Sequence, residues 1–255
     1  MKKKQLPRLS IITVVYNGIH TIERTITSVQ QQSYKEIEHI IIDGGSTDGT
    51  LELIKKHSGG IATWISERDR GIYDAMNKGL DMATGEYVWF INAGDEIYSA
   101  DTLENIRDLL RIKSDVYYGE AMYTDIHGEE IGVRSEVTPH TLPDQLGWQD
   151  MNRGMVVCHQ SFLVKRDIAP RYDLRFPHSG DIDWIIRCLK ISTNTIHTGM
   201  ILSKYLIGGH SKKFHIRSLI DRYRVLQHHF GVLPNIMNHA AITIRALKHS
   251  GKKNR

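Results

Sequence analysis

The stretch YVWFINAGDE (residues 87–96) sets an apolar run, Tyr87 to Ile91, against an abrupt ending in Asn92, two small residues, Asp95 and Glu96. A run that is apolar on both faces reads as a buried strand, and a carboxylate at its end needs a partner, because an unpaired charge beside a core is costly or titrates away. Three earlier segments share this shape. LSIITVVY (9–16) ends in Tyr16 and Asn17, EHIIID (38–43) ends in Asp43, and IATWIS (61–66) is followed by Glu67 and Asp69. Between them lie helical spacings: Ile22, Ile26 and Val29; Leu51 and Ile54 after a GGSTDGT turn in which Ser46, Thr47 or Asp48 serves as cap; and Ile72, Met76 and Leu80. Strands apolar on both faces and alternating with helices predict an α/β fold, a mostly parallel sheet flanked by helices. Ligands bind such sheets beyond the carboxyl ends of the strands, so the four polar endings are expected to meet in one crevice.

Past Ser99 the regular alternation gives way. A helix carrying Leu103, Ile106 and Leu110 leads to two strands, in DVYYGEAMYTD (115–125) and EEIGVR (129–134), and to a mixed region through residue 210. Two further apolar stripes at helical spacing follow, Ile216 to Phe230 and Ile236 to Leu247.

The 255 residues, 40% apolar and 24% charged, suit a soluble globular chain. No uncharged apolar segment approaches the roughly 18–20 residues of a spanning helix. The basic start is followed only by IITVV and by no small-residue cleavage site, so a cytoplasmic protein is expected. Cys158 and Cys188 form no metal or redox pattern. The net charge of +4 is concentrated at Lys2 to Lys4 and in the last quarter, from Lys204 to Arg255. Solvated termini or contact with an anionic surface account for it, and no nucleic-acid-binding signature is present. The glycines of GGSTDG miss the dinucleotide fingerprint, and P-loop, HExxH and GxSxG patterns are absent.

Taken in order, SIITVVYN, IIIDGGSTDGT, SERDRGIYDAMNKG, GEYVWFINAGDE, CHQSFLVKR and SGDIDWIIR resemble the family two glycosyltransferases of the GT-A (Rossmann-like) fold, of the bacterial cell-surface polysaccharide type, over residues 8–211. The resemblance implies a nucleotide-diphosphate sugar donor, a Mg²⁺ or Mn²⁺ ion, and inverting transfer to a hydroxyl of a glycan or lipid-linked acceptor. It assigns Val14, Tyr16 and Asn17 to the nucleotide base and Asp43 to base or ribose, with a turn cap as the alternative for Asp43. Asp69 becomes a second base contact, the alternative being an ion pair with Arg68 or Arg70. The family's acidic cluster after the fourth strand is thinned here to Asn92, Gly94 and Asp95. This makes Asp95 the metal ligand with Asn92 hydrogen bonding nearby. Asp181 matches the family's catalytic base, with Asp183 in reserve and helix capping as the alternative; Gly180 stands where a Glu is frequent. His159, Gln160, Trp184 and His210 are candidates for an acceptor or diphosphate loop.

The expected organisation is one domain over 1–211, with a nucleotide-binding half (8–98) and an acceptor half (99–211), followed by a basic helical extension (212–255) that touches the inner leaflet of a membrane or packs on the domain. A nucleotide-sugar-binding protein that has lost catalysis and a sugar nucleotidyltransferase are the rival readings. The second lacks its expected Arg- and Lys-bearing first loop in VVYNGIHT.

Overall fold

The computed structural model describes residues 6–208 and 215–239. Its nine strands are β1 (Leu9–Val15), β2 (Ile37–Asp43), β3 (Thr63–Ser66), β4 (Tyr87–Phe90), β5 (Glu96–Ile97), β6 (Val116–Thr124), β7 (Glu130–Val133), β8 (Phe162–Lys165) and β9 (Thr195–Leu206). They form one sheet in the order β3-β2-β1-β4-β8-β6-β9-β5, with β7 added to β6. The first four are parallel, Ile12 of β1 lying opposite Ile40 of β2 and Phe90 of β4. From β8 onward the pairing is mixed: β8 is antiparallel to β4 and β6, β9 is parallel to β6, and β5 is antiparallel to β9.

The helices are α1 (Ile22–Gln30), α2 (Thr50–Lys56), α3 (Ile72–Met82), α4 (Thr102–Asn105), α5 (Arg107–Leu110), α6 (Arg134–Val137), α7 (Gly180–Ile191) and α8 (His215–Phe230). Period-two alternation sends Ile40 and Ile42 to one face of the sheet, which α3 covers, and Ile41 to the other, where α1 and α2 supply Ile22, Ile26 and Ile54. Both faces are therefore closed, which is why these strands read as unbroken apolar runs. The single helix expected over Leu103 to Leu110 is two short ones that turn at Ile106, whose side chain is nevertheless fully buried. Strands β8 and β9 were not anticipated. The first has only four residues, and the second is only partly covered along most of its length, so its apolar alternation is weak. Residues 215–230, expected to begin an extension, pack as α8 into the main core through Val225 and Leu226.

A buried carboxylate ties the inlets of β1, β2 and β4 together. Glu38 accepts hydrogen bonds from Ser10 Oγ, Thr84 N (2.6 Å), Thr84 Oγ1 (2.6 Å) and Gly85 N (2.9 Å), and pairs with Arg8 at 3.2 Å. Burial pushes its pKa up, but the hydrogen bonds outweigh burial and hold it below the ordinary value. Glu38→Gln presents an amide N–H₂ to a cluster of donors. Its urea midpoint is expected to fall, with a loss of about 1–3 kcal/mol in unfolding free energy and an unchanged denaturant slope.

Candidate active site

The carboxyl ends of β1 and β4 open into a crevice of about 810 Å³ whose other walls come from α3, α6, the segment before β8, the start of α7, the end of β9 and α8. At its first end, the β1–α1 loop is stapled to the β2–α2 loop. Asn17 N donates to Ser46 Oγ (2.7 Å), Thr47 N to Asn17 Oδ1 (2.9 Å), Gly18 N to Thr50 Oγ1 (2.9 Å) and Ile19 N to Asp48 Oδ2 (3.0 Å). Asn17 adopts φ +50°, a conformation that Asn tolerates better than most residues. Tyr16 is left 67% exposed beside the crevice. The Asp69 carboxylate accepts Gly71 N at 2.8 Å and lies against Gly44, where a Cβ would come within 2.4 Å of Asp69 Oδ2 and 3.4 Å of the Tyr16 ring. Glycine at 44 thus leaves room for an acid and an aromatic ring to flank one slot. Arg70 pairs with Asp74 at 3.0 Å, and among the described residues Asp69 has no ion pair.

In the middle of the crevice the 92–95 turn closes through Asp95 N to Asn92 O (2.9 Å). Gly94 has φ +102°, a backbone conformation that strains other residues, and a Cβ there would sit 2.8 Å from Leu206 Cδ2, which would have to give way. Asp95 is 5% exposed. Its Oδ1 accepts Leu206 N (3.0 Å) and its Oδ2 accepts Gln160 Nε2 (2.8 Å). Desolvation raises its pKa to about 7 despite those two bonds, with the neighbouring Glu96 adding to the rise. Asn92 Oδ1 is buried and has no hydrogen-bond partner among the described residues. No three His, Cys, Asp or Glu side chains gather into a metal-binding cluster among those residues. A buried carboxylate and an orphan amide oxygen are nonetheless hard donors of the kind Mg²⁺ and Mn²⁺ take, and such ions are commonly held by one or two carboxylates with substrate phosphates completing the shell.

At the far end Asp181 projects from the first turn of α7. Its Oδ1 accepts the Tyr73 hydroxyl (3.2 Å) and Ile182 N (2.9 Å), and desolvation raises its pKa to about 6. Tyr73 belongs to an aromatic stack: it lies 5.3 Å from Tyr172, which lies 5.0 Å from Trp184. Asn77 locks Tyr172 with reciprocal bonds to its backbone, 3.0 and 2.7 Å. The start of α7 is held by α8, because Asp221 Oδ2 accepts His178 N (2.9 Å) and Ser179 N (3.1 Å).

Val14, Tyr16, Asn17, Asp69, Asn92, Asp95, His159, Gln160 and Asp181 all line this crevice. Three expected residues do not. Asp43 is fully buried, and its oxygens are taken by Ser46 N, Ser46 Oγ and Ser66 Oγ (2.6 Å), the turn-capping alternative. Asp183 is enclosed between Arg187 (2.7 Å) and His229 (2.8 Å), a hydrogen-bonded cluster joining α7 to α8. Trp184 is core, stacked on Tyr172 with its indole N–H donated to Pro170 O. His159 borders the crevice but is buried and hydrogen-bonded to the Tyr172 hydroxyl (2.7 Å), and desolvation pushes its pKa down to about 3, so it is neutral. His210 lies outside the described residues. Tyr73 and Arg134 were missed. Tyr73 stands inside the quoted SERDRGIYDAMNKG motif, whereas nothing in the sequence around Arg134 marks it.

Fold and crevice together define an α/β protein whose ligand site spans the parallel strand ends and a mixed-sheet wall. The profile of glycosyl transferase family 2 matches residues 10–172, and the chain belongs to that family. It is 33% identical over 187 residues to an uncharacterized glycosyltransferase of Mycobacterium tuberculosis, covering 71% of this chain and 68% of the relative. It is 29% identical over 194 residues to a PGL/p-HBAD biosynthesis glycosyltransferase of Mycobacterium bovis, covering 71% and 70%. Among solved structures, S. aureus TarS 1–349 superposes with a TM-score of 0.65 at 16% identity, covering 92% of this chain and 72% of that one. The chain spans 38% of the longer TarS chain. The mannosyltransferase PcManGT from Pyrobaculum calidifontis, solved with GDP-Man and Mn²⁺, superposes with a TM-score of 0.63 at 15% identity, covering 97% and 76%. These structural likenesses establish the GT-A-like fold.

The raised Asp95 pKa has a stability consequence with a defined sign. Folding takes up a proton at this carboxyl, so its contribution is fully present below about pH 4 and is lost as pH rises through about 7. In chelator-treated protein the melting temperature of Asp95→Asn is therefore expected to gain on the wild type from pH 4 to 7 and to run parallel to it above. Parallel curves throughout would mean that Asp95 titrates normally.

Proposed function

We infer that the chain is an inverting glycosyltransferase that moves a hexosyl or N-acetylhexosaminyl group from a nucleotide-diphosphate donor to a hydroxyl of a glycan or lipid-linked acceptor in cell-surface glycan synthesis. The observation that carries this reading is the sharing of one crevice by the Tyr16–Asp69 slot, Asp95 and Asp181. Further support comes from neighbours of the same fold: TarS 1–349 has been solved with UDP and with UDP-GlcNAc, and PcManGT with GDP-Man and Mn²⁺. The name of the mycobacterial PGL/p-HBAD relative supports the biosynthetic setting.

In this reading the slot beside Gly44 takes the nucleotide base, with Asp69 as hydrogen-bond acceptor. Asp95 and Asn92 would hold Mg²⁺ or Mn²⁺, which offsets charge building on the departing diphosphate. Asp181 is the base. Tyr73 and Ile182 N engage its Oδ1, leaving Oδ2 to take the proton from the acceptor hydroxyl as that oxygen attacks the anomeric carbon and the bond to the diphosphate breaks. A pKa of about 6 matches this task, because the carboxylate is ionised at neutral pH yet basic enough to accept a proton.

Turnover is expected to rise with pH to a plateau above about 6, and Asp181→Asn to lose ~10²–10⁴-fold in kcat while donor affinity stays within a few-fold. Equal turnover in that variant would remove Asp181 from the chemistry. Asp95→Asn is expected to abolish the gain in melting temperature that Mn²⁺ gives the donor-bound wild type. Donor binding without turnover in the wild type would favour the second reading, a nucleotide-sugar-binding protein, for which the thinned Asn92–Gly94–Asp95 turn speaks.

No helix among the described residues is long and apolar enough to cross a membrane. We assign the enzyme to the cytoplasmic face, with peripheral contact to the inner leaflet. The support is a set of exposed apolar side chains, Ile216 and Ile220 on α8 and Leu233 (75% exposed) and Met237 (73%) in the helical residues 232–239, in a segment that also carries Arg217 and Arg224. Co-flotation of the full-length protein with phosphatidylglycerol vesicles should fall several-fold in a Leu233→Glu, Met237→Glu variant. Equal flotation of the two would refute this contact.

A further inference from the structure

Arg134 lines the crevice although only 5% of the residue is exposed. Its Nη1 donates to Val156 O (2.6 Å) and its Nη2 to Met155 O. Carbonyl oxygens carry no formal charge, and among the described residues no carboxylate lies within ion-pair distance of Arg134. Arg8, Arg70 and Lys78, by contrast, each face a carboxylate at 2.8–3.2 Å. A buried, permanently charged fork without a counter-ion is costly unless an anion arrives.

The surroundings describe which anion. Tyr123 and Cys158 border the same part of the crevice, and both sense the Arg134 charge: burial pushes each pKa up, and Arg134 opposes the rise. Neutral hydroxyl and thiol groups beside a guanidinium suit a compact oxyanion with several acceptor oxygens. The position is also distinct from the turn that would meet the donor diphosphate. Arg134 is not among the groups that shift Asp95, whereas Cys158 lies within the electrostatic reach of Arg134, Asp95 and Asp181 alike. The fork hangs from the 155–156 carbonyls, whereas Asp95 is held by Gln160 and Leu206, so the two opposite charges occupy separate stations along the crevice wall.

We propose that Arg134, with the Tyr123 hydroxyl beside it, forms an oxyanion subsite that binds a phosphate group of the acceptor and so orients its hydroxyl toward Asp181. This rests on the crevice being a donor–acceptor site as inferred above. It adds that the acceptor is phosphate-bearing, a phospholipid-linked or phosphodiester-containing molecule, in preference to a neutral glycan.

The test is calorimetric titration of inorganic phosphate into protein already saturated with UDP or GDP, whichever binds. Saturable binding to the wild type is expected, weakened about tenfold or more in Arg134→Gln, less in Arg134→Lys, and several-fold in Tyr123→Phe. The last variant leaves both carbonyl bonds of Arg134 in place, so it reports on the subsite even if Arg134→Gln fails to fold. Absence of phosphate binding to the wild type, or equal binding to wild type and Tyr123→Phe, would overturn the subsite. Phosphate that binds only when the nucleoside diphosphate is omitted would move Arg134 to the donor diphosphate and overturn the acceptor assignment. Failure of both UDP and GDP to bind, with phosphate binding intact and lost on substitution of Arg134, would strike the donor reading and leave the oxyanion subsite standing.

Discussion

The two halves of this protein meet at one carboxylate. Asp95 ends the fourth parallel strand's loop, yet its oxygens are bound by Leu206 N from the last strand and by Gln160 from the segment before β8. Thr25 on α1 fixes the same turn from behind, donating to Asp95 O (2.7 Å) and accepting Gly94 N (2.9 Å). Two neutral donors do not fully offset the desolvation of a carboxylate, which is why its proton is held to about pH 7. The crevice is therefore built around a charge the fold alone leaves undercompensated, and Arg134 repeats the situation with the opposite sign. A stable core avoids such groups, whereas a site that receives charged ligands retains them.

The parallel half was legible in the sequence because its strands are covered on both faces and so appear as unbroken apolar runs. The strand-end rule then located Tyr16, Asn17, Asp69, Asn92 and Asp95 without reference to any motif. The resemblance ranks Asp181 ahead of Asp183, and helix geometry gives the physical reason the two differ. Two residues along a helix is a rotation of about 200°, so one acid faces the crevice and the other is carried to the far side, where Arg187 and His229 enclose it. Between the two readings of Asp43 the sequence offers no decision, because its surroundings depend on hydroxyls, and Ser66, on the neighbouring strand, is close only in the folded chain. Arg134 was invisible for a related reason: an isolated arginine after a short strand has no spacing to betray it, and only tertiary packing strips it of water.

Helix α8 alters the picture of a domain with an appendage. It supplies Ser218, Leu219 and Arg222 to the crevice, anchors the start of α7 through Asp221, and buries Val225 and Leu226 in the main core. Its exposed apolar residues, Ile216 and Ile220, lie on the same element as that crevice wall. These exposed residues are thereby mechanically continuous with the start of the helix bearing Asp181.

Gly180 has one more implication. The Tyr73 ring occupies the volume a side chain would need there, with ring carbons 2.9 Å from where its Cβ would be. A larger residue at 180 would press on the tyrosine that steadies the adjacent aspartate and would require that ring to move. Glycine at 180 and tyrosine at 73 are thus packed as a pair, and a change at one is felt at the other.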